Sequence, residues 1–128
     1  MTSEMMYLSW ILVLHLVIWI PYILNVIATR GLVDAVGYPE NPPPMAAWAQ
    51  RLKAAHYNSV ENLVVFATLV LMANALGISN ATTVLACQVY FWARLAHLFL
   101  YTFGVPWGRT LAFAAAWVCQ VVLLLQII

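Results

Sequence analysis

Three stretches of this chain contain no Asp, Glu, Lys or Arg: residues 5–29, 62–93 and 110–128. A helix needs about 20 apolar residues to cross the roughly 30 Å hydrocarbon core of a bilayer, and each stretch supplies about that many or more. The middle one is interrupted by Gly77-Ile78-Ser79-Asn80, a turn signal, and therefore holds two spans. Four spans are expected, at about 7–29, 59–76, 81–103 and 110–128, with the second helix starting ahead of the membrane at about residue 46. Backbone in lipid must satisfy its own hydrogen bonds, which leaves helices or a closed barrel. No alternating strand pattern is present, so the fold class is all-α: an integral membrane four-helix bundle, one domain over residues 1–128.

Composition agrees. Only 7% of the 128 residues are charged and 66% are hydrophobic, whereas soluble domains carry roughly 25% charged residues. The first apolar stretch has no basic leader and no small-residue cleavage site, and it is too long for a signal-peptide core, so it reads as a span. A net charge of +1 without any basic run argues against a nucleic-acid partner. Cys87 and Cys119 lie inside apolar stretches at spacings that suit neither a metal site nor a disulfide framework, and they read as small packing residues. Pro21 should kink the first span and free a carbonyl one turn earlier. Residues 30–47, with Gly31, Gly37 and Asn41-Pro42-Pro43-Pro44, should form an extended loop.

The five basic residues are Arg30, Arg51, Lys53, Arg94 and Arg109. Four of them flank the first and third connections, which lie on the same side of a four-span chain. The other side offers only Glu4 and the uncharged 77–80 turn. The positive-inside rule then places residues 30–58 and 104–109 in the cytoplasm and both termini outside.

Ionisable groups at membrane depth are costly, and by default they mark function. On the second helix, Arg51, Asn58 and Glu61 follow helical spacing and should share a face; on the third, Tyr90, Arg94, His97 and Tyr101 form one polar stripe. The two helices are antiparallel, so these groups fall in one layer near the cytoplasmic side, where Arg109 opens the fourth helix. Such a layer suits a small anionic or zwitterionic ligand: arginines for carboxylates, Glu61 and Asn58 for an ammonium and amides. The same residues also fit a purely structural role, in which Arg94 and Glu61 form an intramembrane ion pair that sets helix register. His15 reads as a satisfied interior histidine.

The stretches RLKAAHYNSVEN (51–62) and RLAHLFLYTFGVPWGR (94–109) resemble the two signatures of the MAPEG family, membrane-associated proteins in eicosanoid and glutathione metabolism, and the chain looks like a bacterial-type member. The resemblance implies a homotrimer that binds glutathione between subunits and acts as a transferase or peroxidase on a lipophilic electrophile. For a bacterial source it implies the inner membrane. It assigns glutathione binding to Arg51, Asn58, Glu61, Arg94, His97 and Tyr101, and catalysis to Arg109, which would stabilise the thiolate, with Tyr101; it implies no metal. Ala54 and Tyr57 stand where many glutathione-using members carry arginines, and the runner-up reading is a non-catalytic membrane binding or scaffold protein. A transporter is disfavoured because the polar residues stop at one leaflet.

The charge distribution makes a direct prediction. Single cysteines introduced in the 31–47 loop should resist an impermeant thiol reagent in intact cells, while Ser79→Cys should react. Outside labelling of the 31–47 loop would reverse the orientation.

Overall fold

The computed structural model describes all residues from 1 to 128. It contains six helices: α1 (Ser3–Val17), α2 (Trp19–Arg30), α3 (Leu32–Val36), α4 (Ala47–Ala75), α5 (Ala81–Thr102) and α6 (Pro106–Ile127). Four helical units are long and apolar enough to cross a membrane: α1 and α2 together, α4, α5 and α6. The protein is a multi-pass, all-helical membrane protein, as the uncharged stretches require.

Local chemistry explains each boundary. The α1–α2 break at Ile18 lies just ahead of Pro21, which cannot donate to the Val17 carbonyl. Asn80 and Thr83 form a reciprocal capping box at the start of α5. Gly77 and Gly104 end α4 and α5 with φ of +70° and +73°. In both turns the following residue bonds back to the helix, Ile78 N–H to Ala73 and Val105 N–H to Leu100, each at 2.8 Å.

Two boundaries differ from the sequence expectation. The 30–47 loop is not wholly extended, because Leu32–Val36, free of breakers between Gly31 and Gly37, closes into a short helix. The last helix starts at Pro106 rather than at about 110. Proline at the first helical position sacrifices only an N–H that has no intrahelical acceptor, and Arg109 is thereby placed in the first turn of α6.

The bundle is a rhombus in cross-section. Helices α4 and α5 touch across its short diagonal; α1 and α6 pack on opposite sides of that pair and do not touch each other. Leu8, Ile11, Phe66, Val70, Tyr90 and Leu123 form the main core, with Phe66 and Tyr90 stacked at 3.7 Å between ring centroids. Cys87 and Cys119 are free thiols buried in that core.

Polar seams tie the helices together at each level. On the α1–α4 side, His15 Nδ1–H donates to the Ile11 carbonyl at 2.7 Å, and its Nε2 is hydrogen-bonded to the Ser59 hydroxyl at 2.9 Å. His56 Nδ1 and the Tyr22 hydroxyl are hydrogen-bonded at 2.7 Å. Beyond the kink, α2 is fixed by Asn25 Oδ1, which accepts the Ala46 N–H at 2.9 Å, and by Arg30 Nε, which donates to the Pro43 carbonyl at 2.8 Å. At the end of the bundle that holds the termini, the Glu4 carboxylate is buried and accepts the hydroxyls of Ser79 (2.9 Å) and Thr83. This clasp joins α1 to the α4–α5 turn and to α5. Glu4→Ala removes a charged acceptor from buried Thr83 and should destabilise the protein by about 2 kcal/mol. An unchanged thermal unfolding midpoint in detergent would show that the clasp carries no weight.

Candidate functional site

On the side of the α4–α5 pair away from α1, a cleft of about 280 Å³ opens between α4 and α6 with α5 as its floor. Asn58 of α4, His97 and Tyr101 of α5, and Arg109, Thr110 and Phe113 of α6 line it. Three helices that are far apart in sequence thus contribute to one polar recess, as the depth argument anticipated. The early start of α6 brings Arg109 over the recess. Its guanidinium carbon lies 4.6 Å from the centroid of the Tyr101 ring, within cation–π range. His97 packs edge-on against Tyr101 at 5.6 Å between centroids.

Beneath the cleft lies Arg94, about 12 Å along α5 from its basic end at 1.5 Å per residue. Only 1% of Arg94 is exposed, and His97 is 2% exposed. Arg94 Nη2 donates to Asn58 Oδ1 at 2.8 Å, while its Nε and Nη1, like Nδ1 of His97, have no partner within the subunit. The Arg94–Glu61 ion pair expected from the sequence is therefore not formed in the subunit; an amide takes the guanidinium instead. Helix geometry gives the reason. At about 100° per residue, Glu61 lies about 80° around α4 from Arg51 and about 60° from Asn58, and it points outward. Glu61 lines an adjoining cleft of about 250 Å³, which shares Asn58 and Phe113 with the first.

Arg51 departs further from the shared-face expectation. Its Nε donates at 2.8 Å to the carbonyl of Thr102 in the last turn of α5, where a cation also complements the helix dipole. It lines a recess of about 80 Å³ with Tyr101, Gly104 and Arg109, and so stands beside the main cleft rather than in it. Arg30 is tied to Pro43, and Lys53 sits 5.7 Å from the Tyr57 ring, so neither supplies a cation to the cleft.

The sequence reading missed a second polar node. Asn62 Oδ1 accepts from the Tyr90 hydroxyl and from Gln120 Nε2 (2.9 Å), and Gln120 also donates to the Asn62 carbonyl at 3.1 Å. This node locks α4, α5 and α6 together directly below the site. The available signal was Gln120 itself, an amide in the middle of the last span.

The Asn58–Arg94 bond sets up a test. Asn58→Leu leaves a buried guanidinium without its one partner and should cost about 2–3 kcal/mol. Glu61→Gln breaks no bond within the subunit and should cost the subunit fold no more than about 0.5 kcal/mol. Detergent thermal melts that rank the two in the opposite order would put Glu61, not Asn58, in charge of Arg94.

The geometry of the site now stands beside what the chain is similar to. Comparison with curated proteins and with solved structures returns no match. A family model does match: that of the MAPEG family, over residues 8–128, which takes in all four spans and every cleft residue described above. The chain belongs to the MAPEG family.

Proposed function

We propose that the protein is a glutathione-dependent membrane transferase or peroxidase that acts on a lipophilic electrophile. Family membership supports glutathione- or eicosanoid-related chemistry in general. The observation that carries the narrower reading is Arg109, held over Tyr101 at the mouth of a polar cleft otherwise walled by membrane-spanning helices.

Glutathione carries two carboxylates, one ammonium and a thiol. The cleft and its neighbour, about 280 and 250 Å³, together reach the size of a small-molecule site. Arg109 and the unpartnered edge of Arg94 offer cations, Glu61 takes the ammonium, and Asn58 offers an amide between them. Tyr101 holds Arg109 in place, His97 supports the ring of Tyr101, and Arg51 extends the positive field from beside the cleft. A guanidinium next to the sulfur in a low-dielectric site favours thiolate over thiol. The thiolate then attacks an electrophile that arrives sideways from the bilayer. A carbon–sulfur bond forms, and the displaced group, or the oxygen of an opened ring, takes up a proton. In this reading the basic end faces the cytoplasm and the source of glutathione.

Glu61 supports a homotrimer. Its carboxylate is exposed on the side of α4 at membrane depth, where an uncovered charge is expensive, and packing against neighbouring copies covers it. The scaffold alternative draws on Ala54 and Tyr57, which leave fewer cations around the cleft. One experiment separates the two. Adding millimolar glutathione to the folded trimer should raise thiolate absorbance in the near ultraviolet, with an apparent thiol pKa below that of free glutathione. Arg109→Ala should abolish the signal while native mass spectrometry still finds trimers, because Arg109 lies in the first turn of α6 and not in the core. No thiolate signal from the wild-type trimer would sink the enzyme reading.

A further inference from the structure

A second cleft lies on the opposite face of α5 from the proposed glutathione site. It has a volume of about 350 Å³, sits in the inside of the α1–α2 kink, and is almost wholly apolar. Val17 and Pro21 form its kinked wall, Trp48 and Leu52 of α4 face them, and Phe99 and Phe103 of α5 close the side. This cleft differs in chemistry from the one next to Arg109, as does a further apolar cleft of about 300 Å³ between α5 and α6; of the two apolar clefts, only this one has a cation near its end.

The kink produces the cleft. With no N–H at Pro21, the helix breaks at Ile18, and beyond the break α2 packs against α4 rather than α5, where the Asn25–Ala46 and Arg30–Pro43 bonds hold it. Small residues do not refill the gap, and no polar side chain apart from Thr102 reaches it. Its walls run from span residues such as Leu14 and Leu98 to Trp48 and Leu52 at the basic boundary of the bundle.

The charge at its mouth identifies the occupant. Thr102 lines the cleft, and its carbonyl accepts Nε of Arg51 at 2.8 Å. The guanidinium also lies against Gly104, where a Cβ would come within 3.6 Å of Nε, so the head of Arg51 is fixed at the basic rim of the bundle. That hydrogen bond is the one Arg51 makes, and its two terminal nitrogens stay free of protein partners. The four carboxylates of the chain offer no substitute: Glu61 is about 15 Å away along α4 at 1.5 Å per residue, Glu4 is clasped at the far end, and Asp34 and Glu40 belong to the 30–47 loop. Although its side chain itself lines the small recess it shares with Tyr101 and Arg109, Arg51 is thus an immobilised cation next to Thr102 at the basic end of an acyl-sized apolar cleft. We propose that this is a phospholipid site selective for an anionic headgroup: the cleft takes one acyl chain and Arg51 takes the phosphate. The site shares Arg51 with the rim of the proposed glutathione cleft but takes its acyl chain on the other face of α5, so lipid retention and the thiolate signal report on the two separately.

The test uses the full-length protein purified from its membrane and given equal amounts of phosphatidylglycerol and phosphatidylcholine in mixed micelles. Native mass spectrometry then counts the lipid retained. Wild type should keep phosphatidylglycerol in preference. Arg51→Ala should lose roughly fivefold of that preference, the worth of one arginine at an anionic surface, while still retaining lipid. Val17→Trp alters a half-exposed position on the cleft wall, so the fold survives; it fills the cleft and should remove retained lipid of both kinds. Inorganic phosphate at millimolar concentration should not displace the lipid, because it lacks the chain. Equal retention of the two lipids by wild type, an unchanged preference in Arg51→Ala, or displacement by phosphate alone would each overturn the proposal. So would efficient disulfide crosslinking of Phe99→Cys to a second copy with no lipid retained, since a neighbouring subunit would then fill the cleft. A normal thiolate signal alongside any of these results would leave the proposed activity standing.

Discussion

Hydrocarbon offers no hydrogen bonds, and every polar side chain in this bundle is arranged around that fact. Glu4 meets Thr83 and Ser79 at one end, Asn62 joins Tyr90 to Gln120 in the middle, Asn58 holds Arg94 above it, and Arg51 caps α5 at the other end. Each of these bonds joins different helices or caps one with another. Lipid tails are as apolar as leucine, so the hydrophobic effect gives membrane-embedded helices little reason to choose one rotation over another. The polar contacts supply that choice. If α5 turned by one residue, Arg94, Tyr90 and Thr83 would all lose their partners together.

The same constraint shapes the candidate site. Arg94 is nearly fully buried yet keeps donors without partners inside the subunit, and His97 beside it does the same. A buried donor left unpaired costs about 1–3 kcal/mol, and more for a charged group. A chain that retains this arrangement holds in reserve hydrogen-bonding capacity that an anionic ligand can use. Preorganisation of this kind is what a binding site in a low-dielectric medium requires, because donors already in place need no rearrangement when charge arrives. Arg109 adds the complementary feature, a cation on the first turn of a helix, held by stacking on Tyr101 rather than by a carboxylate that would neutralise it.

Pro21 and Arg51 show how one chain supports two chemically different cavities. The kink opens an apolar volume on one face of α5, while the polar stripe of α5 faces the other way. Residues 97 and 101 point into the polar cleft, and residues 99 and 103 into the apolar one. In the two proposals, alternate faces of a single helix serve a water-soluble and a lipid-soluble ligand, with Arg51 near the rim of both clefts.

The uncharged stretches determined the number of spans and the helical class, because lipid admits only helices or closed barrels and no alternating strand pattern is present. The two signature stretches were enough to identify the family, and the depth argument correctly gathered Asn58, His97, Tyr101 and Arg109 into one layer, since rise per residue is a property of any helix. What the sequence left open was rotation about the helix axes. Spacing puts Arg51, Asn58 and Glu61 within a quarter-turn of one another, yet only the packed bundle decides that Arg51 turns to Thr102, Asn58 to Arg94 and Glu61 to the outside. The start of α6 was open too, because Pro106 reads equally as a breaker or as a first helical residue until Gly104 is seen to end α5 just before it. Partners across helices depend on side-chain reach and interaxial packing over a few ångströms, and a one-dimensional pattern specifies neither.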